Sequence, residues 1–204
     1  MDAAHSAQKK RCDWAGPDGG LYQSYHDREW GVPVFDERLL FEFLILEGFQ
    51  AGLSWWIILN KREHFRDAFN RFDAEKIARY GEADISGLLQ NAGIVRNRFK
   101  ITAAVKNARA FLAVMERPGG FTEYIWQFSG GRPLLNKWKT PGETPCSTPV
   151  SDAMSKSLKS DGFSFVGSTI CYAFMQAVGM VNDHIVSCFR HQEIVEQYFK
   201  PEWK

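Results

Sequence analysis

No apolar run in the chain approaches the roughly 18 residues of a membrane-spanning helix, and the opening Met-Asp-Ala-Ala-His-Ser has neither the basic nor the apolar region of a signal peptide. A cytoplasmic protein with no membrane partner is expected. Cysteine is scarce: Cys12, Cys146, Cys171 and Cys188 are the whole set, and in that compartment they serve as thiols or metal ligands rather than disulfides. Charge of one sign is also missing. A net charge of +1 provides no global field for nucleic acid, so any such binding must come from local patches. Internal repeats are absent, as is any strand-like run long enough to build a sheet. What remains is an all-α fold.

The chain does have length and rings. Its 204 residues make one domain or two small lobes, enough for a substantial core. Hydrophobic content of 45% against 24% charged residues is ordinary for a soluble globular protein. The 7 Trp and 16 Phe can fill that core or line a stacking pocket, and the core takes most of them by default.

Along the chain, residues 1–11 are polar, end in Lys9, Lys10 and Arg11, and read as a disordered tail. From Cys12 to Pro33, Trp14, Tyr22, Tyr25, His26 and Trp30 fall among glycines and prolines. That segment has too many breakers for a long helix and too many rings to be left in water, so it packs over something, with a short helix over 21–29. Asp36 is placed to cap a helix reaching about Gln50, and a second helix is expected over 54–69. Asp73 and Glu82 open shorter helices, Asn91-Ala92-Gly93 is a turn, and Ile101, Ala104, Val105, Ala108, Phe111 and Leu112 form the stripe of a long helix. Residues 119–149 read mostly as loop, with a short helix over 124–128. Ser151 or Asp152 caps the next helix, Gly162 ends it, another helix starts at Ser168, and a final one starts at Asn182 or Asp183.

Three constellations carry chemistry. In Leu46-Glu-Gly-Phe-Gln-Ala-Gly-Leu-Ser-Trp-Trp56, Glu47 closes a nearly apolar run, where a carboxylate must find partners or shift its pKa. Gly48 and Gly52 interrupt helix there, and Ser54 restarts it, leaving 49–53 as a loop between rigid helices. Secondly, His184 and Cys188 are four apart and share one face if helical, so they can hold one metal ion. Cys12 and His26 could complete a tetrahedral site, His191 is an alternative ligand, and Cys171 reads as a buried thiol. Thirdly, helix, tight turn near Gly167 and helix form a hairpin over about 151–180. Its open N–H groups suit a DNA phosphate, with Lys156 and Lys159 adding charge.

Cys12-x-Trp14, Tyr25-His-Asp-x-Glu-Trp-Gly-Val-Pro33, Leu46-Glu-Gly-Phe-Gln-Ala-Gly-Leu-Ser-Trp55, Asn91-Ala-Gly-Ile94, Gly162-Phe-x-Phe-Val-Gly167 and Val181-Asn-Asp-His184 together resemble the 3-methyladenine DNA glycosylase I family, from about Cys12 to Cys188. The resemblance implies a helix-hairpin-helix DNA glycosylase fold, with a zinc site tying the N- and C-terminal segments. It divides the chain into the tail 1–11, a helical glycosylase domain over 12–190 and a C-terminal extension over 191–204. It implies a monomeric enzyme that flips 3-methyladenine out of double-stranded DNA and removes it hydrolytically without cutting the strand. Alternatives are a broader alkyl-purine glycosylase, acting also on 3-methylguanine, and a non-catalytic hairpin DNA-binding protein.

By matching positions, structural zinc falls on Cys12, His26, His184 and Cys188, and base recognition on Glu47, Tyr22, Tyr25, Trp55 and Trp14. Glu47 and Tyr25 are the catalytic candidates. DNA contact falls on Gln50, Gly52 and Leu53, and on Gly167, Ser168 and Thr169 of the hairpin. Many hairpin glycosylases carry a catalytic Asp where this chain has Asn182, and the adjacent Asp183 is expected to cap a helix.

Overall fold

A computed structural model describes residues 9–16 and 20–200. Eleven α-helices run through the described residues: α1 Leu21–Arg28, α2 Glu37–Gln50, α3 Trp55–Asn60, α4 Arg62–Ala68, α5 Ala74–Ala78, α6 Glu82–Gln90, α7 Arg98–Met115, α8 Gly120–Trp126, α9 Pro149–Ser160, α10 Ser168–Ala177 and α11 Phe189–Tyr198. The only described strands, β1 Leu134–Leu135 and β2 Val181–Asn182, pair in parallel over two residues each. No described helix is long and apolar enough to cross a membrane.

Helix α2 is the axis of the fold. Asp36 caps it by accepting the Leu39 N–H at 2.7 Å, and every residue from Leu40 to Phe49 is buried. A helix apolar on all sides needs neighbours on all sides, and α3, α7, α8 and α10 pack around it. Phe41 meets Phe111 of α7 at 4.7 Å between ring centroids, and Phe49 meets Phe65 of α4 at 4.8 Å. The two carboxyl groups that α2 carries inside are treated differently. Glu42 receives Arg62 at 2.6 Å and Arg66 at 2.8 Å, whereas Glu47 has no hydrogen bond or ion pair among the described residues.

Several local expectations are corrected. Gly48 does not break α2: there, tertiary burial outweighs its low helix propensity. The helix expected over 54–69 divides at Lys61, whose backbone leaves helical geometry (φ −99°, ψ 0°) and turns α4 so that buried Arg62 reaches Glu42. Thr148, rather than Ser151 or Asp152, caps α9, with Pro149 at the first helical position and Ser151 returning a bond to the Thr148 N–H. The final helix starts at Phe189 rather than at Asn182 or Asp183, because residues 181–182 are held in β2.

Residues 1–8 lie outside the described residues, but Lys10 accepts the Phe189 N–H at 2.9 Å and Arg11 pairs with Asp27 at 2.7 Å. The boundary expected between 190 and 191 falls inside α11, whose His191 and Ile194 are buried.

Candidate active site and metal cluster

A cavity of about 130 Å³ opens beside the C-terminal half of α2. It is comparable to the ~150 Å³ that accommodates a benzene ring in a protein core. The segment expected to pack over something is one of its walls, bringing Trp14, Tyr22, Tyr25 and Trp30. Helix α2 supplies Glu47 and Gln50, α3 supplies Trp55, and α10 supplies Ala173 and Gln176. The rings brace one another: Trp14 lies 5.2 Å from Tyr22 and 4.9 Å from Trp30, and Tyr25 lies 5.4 Å from Trp55. The buried Trp55 indole N–H has no acceptor among the described residues.

Electrostatically the cavity is unusual for having one carboxyl group and no cation. Burial pushes the Glu47 pKa up to about 8, so with no cation beside it the group is mostly protonated at neutral pH. Tyr25 is held well above the ordinary phenol range, first by burial and then by the nearby Glu47 charge. It therefore remains a neutral hydroxyl able to donate. Tyr22 is raised for the same two reasons.

All five expected base-contacting residues, Trp14, Tyr22, Tyr25, Glu47 and Trp55, thus line one cavity. Gln50, expected at the DNA, lines it as well, while Gly52 (φ +75°) and Leu53 form the exposed turn beyond. Nothing within 4 Å would meet a Cβ at Gly52, so the positive φ accounts for that glycine. Sequence reasoning did not identify the anchor of this turn. Lys100 of α7, buried, donates to the carbonyls of Phe49 at 2.8 Å and Ala51 at 2.5 Å, which closes the end of α2. Trp30, Ala173 and Gln176 were also missed as cavity residues; of these, only Trp30 stood in a segment already marked as aromatic.

Gly167 caps α10 without a side-chain hydrogen bond, and Thr169 is exposed in the first turn. The Ser168 hydroxyl is shared with Ser151 of α9 at 2.8 Å. The turn is clamped by Asn107 of α7, which accepts the Ser164 N–H at 2.7 Å and donates to its carbonyl at 3.0 Å.

On the far side of Trp14 and Trp30, Cys12, His26, His184 and Cys188 are all buried, and their donor atoms lie within 4.8 Å of one another, so this group could hold a metal ion. The expected four residues converge, but the helical argument for two of them does not hold. His184 lies in the irregular segment after β2, and Cys188 is the N-cap of α11. His191 instead bonds the Asn136 carbonyl at 3.0 Å, and Cys171 faces the Val166 carbonyl in the core. The Cys188 thiol is held far below its ordinary range, chiefly by the Cys12 Sγ and then by His184 and His26, while Cys12 is raised.

Asp183 does not cap a helix. It is buried and accepts four side-chain hydrogen bonds. Asn182 is fully buried, donates to the His191 carbonyl and accepts the His184 N–H, and does not line the cavity.

An aromatic cavity lined by a single unpaired carboxyl group has the make-up of a site for one planar, electron-poor ring. Residues 14–191 match the methyladenine glycosylase family profile, and the chain belongs to that family. It is 50% identical over 179 residues to the DNA-3-methyladenine glycosylase 1 of Escherichia coli (strain K12), covering 88% of this chain and 95% of that protein. It is 48% identical over 178 residues to the DNA-3-methyladenine glycosylase of Haemophilus influenzae, covering 87% and 96%. Among solved structures, a crystal structure of 3-methyladenine DNA glycosylase I superposes with a TM-score of 0.86 at 52% identity, over 88% of this chain and 98% of that one. A Staphylococcus aureus enzyme described for its recognition of 3-methyladenine superposes at 0.84 with 33% identity, over 88% and 95%.

Proposed function

We propose that the chain removes 3-methyladenine from alkylated DNA by hydrolysing the bond between base and sugar, as the first step of base-excision repair, and leaves the strand intact. The observation that carries this reading is Glu47, buried among aromatic rings with no counter-charge. Adenine methylated at N3 is a cation whose glycosidic bond is already weakened, and it departs as a neutral base. Such a substrate needs recognition more than protonation. Ring faces attract it through cation–π contact, and Glu47, ionising as the cation arrives, accepts its N–H groups and completes the charge. Tyr25 offers one neutral donor. The base must leave the duplex to reach this cavity, and the turn of Gly52 and Leu53 is suited to follow it into the gap. The hairpin residues Gly167, Ser168 and Thr169 contact the backbone of double-stranded DNA, which the enzyme meets as a monomer. Residues 12–190 hold every group named.

Zinc suits the metal cluster. Bonds of about 2.3 Å to sulfur and 2.0–2.1 Å to nitrogen, at a tetrahedral angle, set sulfur and nitrogen about 3.6 Å apart. The distances are 3.6 Å for Cys12 Sγ to His184 Nδ1, 3.5 Å for Cys188 Sγ to His26 Nε2 and 3.6 Å for Cys188 Sγ to His184 Nδ1. Both imidazoles are oriented from behind, His26 Nδ1 by Asp27 at 2.7 Å and His184 Nε2 by the Trp30 carbonyl at 3.0 Å. Four protein donors would leave no open position, so an ion held there would have a structural role.

Chromatography of bases released from methylated duplex DNA tests the activity. Release of 3-methyladenine with retention of 7-methylguanine is expected. Equal release of several alkyl-purines establishes the broader enzyme instead, and DNA binding with no release leaves only a binding module.

A further inference from the structure

Charge and stacking cannot tell one alkylated purine from another. A 3-methyladenine and a 3-methylguanine residue in DNA are both cations with aromatic faces, so the rings and the charge of Glu47 attract both. A 6-amine carries two N–H groups, so an acceptor of fixed direction beside Glu47 can read the second, and the cavity has two amides to offer. Gln50 is loosely held, its Nε2 3.5 Å from the Leu53 carbonyl. Gln176 is locked from behind by the network around Asp183.

The Asp183 Oδ1 accepts from Asn136 Nδ2 at 2.6 Å and from the Trp138 indole N–H at 2.8 Å. Its Oδ2 accepts from the Tyr172 hydroxyl at 2.7 Å and from Gln176 Nε2 at 2.8 Å. A carboxylate has roughly four lone-pair positions, and all are in use. Asp183 therefore has nothing left to offer a water molecule as a base, and it is absent from the cavity lining. Its effect falls on Gln176. Because a carboxylate only accepts, the amide end facing it must be the NH₂. The Gln176 Oε1 then points away from Asp183, has no hydrogen bond to any described residue, and belongs to a side chain that lines the cavity beside Glu47.

We propose that Gln176 is a specificity-determining residue, whose Oε1, set by Asp183 as its positioning residue, accepts a hydrogen bond from the exocyclic amine of a 6-aminopurine and disfavours a 6-oxopurine. A 6-oxo group there would bring two acceptors together with no proton between them, and a site built around a donor rejects an analogue that lacks it. The inference rests on the reading of the cavity as a 3-methyladenine site.

The test is binding of free 3-methyladenine and free 3-methylhypoxanthine, which share the ring skeleton and the 3-methyl group and exchange a 6-amine for a 6-oxo group with one ring N–H, followed by fluorescence of the cavity tryptophans. The wild-type protein prefers the first. Gln176→Met, similar in size and lacking the acceptor, lowers affinity for 3-methyladenine about tenfold and leaves 3-methylhypoxanthine unchanged or tighter, so the preference collapses. Asp183→Asn, which unlocks the Gln176 amide, moves the ratio the same way. A merely structural role would weaken both ligands together. That result, or a wild-type ratio in Gln176→Met, overturns the inference while the glycosylase reading stands. Wild-type protein that binds neither base overturns both.

Discussion

Glu42 and Glu47 lie five positions apart on one buried helix, and only Glu42 is paired, with Arg62 at 2.6 Å and Arg66 at 2.8 Å. The fold thus supplies cations to one carboxyl group of α2 and withholds them from the other, which faces the cavity. A carboxyl group already neutralised by arginine would gain little from a cationic ring. Glu47 retains that capacity because it is alone.

The cost of that solitude is readable in stability. The Glu47 pKa is about 8 in the folded chain against an ordinary 4.5, so between those values the folded state holds a proton that the unfolded chain has released. The stabilisation is complete below about pH 4.5 and is lost as pH rises through 8. Glu47→Gln cannot ionise, so its stability relative to wild type should rise between pH 5 and 8 by on the order of a few kcal/mol. Urea unfolding of both proteins across that range checks this, and a difference constant with pH counts against a raised pKa. Release of 3-methyladenine by the same variant should fall at least tenfold.

Lys100 closes the end of α2 through the carbonyls of Phe49 and Ala51. Lys100→Met keeps the aliphatic stem and leaves two carbonyls without their donor, at about 1–3 kcal/mol of stability. The turn over 51–54 then loses its fixed base. Excision from duplex DNA is expected to slow more than binding of free base weakens; equal losses in the two assays would assign Lys100 to the fold alone.

The Asn107 clamp on Ser164 predicts a complementary variant. Asn107→Ala removes both bonds to the hairpin turn, costs about 1–2 kcal/mol and weakens binding to undamaged duplex, with free-base affinity unchanged. Fluorescence anisotropy with a labelled duplex would read the first effect, and an unchanged DNA affinity would detach the hairpin from DNA contact.

Elemental analysis of purified protein should give about one zinc per chain. Stripping the ion with a strong chelator, or replacing Cys188 by Ser, should lower unfolding free energy by several kcal/mol. Metal-free protein of unchanged stability would remove zinc from the account.

What the sequence disclosed was local or carried by motif. Asp36 announced α2, and the stripe from Ile101 to Leu112 announced α7, because a cap and a helical period are written within a few residues. The four Cys and His residues that could hold a metal ion converge, yet the helix expected to align His184 and Cys188 is absent there: β2 pairing holds 181–182 extended, and the two side chains meet through a turn. Gln176, Lys100 and Asn107 were invisible because their partners lie 7, 49 to 51 and 57 positions away and no local pattern marks them. Locally, Asp183 after Asn182 has the pattern of a helix cap. Its true partners come from the loop after β1, with Asn136 and Trp138, and from α10, with Tyr172 and Gln176.

The Cys/His cluster also makes the cavity wall depend on residues remote from it in sequence. Two of its closest pairs join residues 162 and 172 positions apart, and its imidazoles support the cavity wall, His26 against Trp14 at 5.1 Å and His184 against Trp30 at 4.6 Å. Contacts of that sequence separation form later in folding than the local contacts of a helix such as α2. The aromatic wall is therefore complete only when residues 184–188 have docked against residues 12–26.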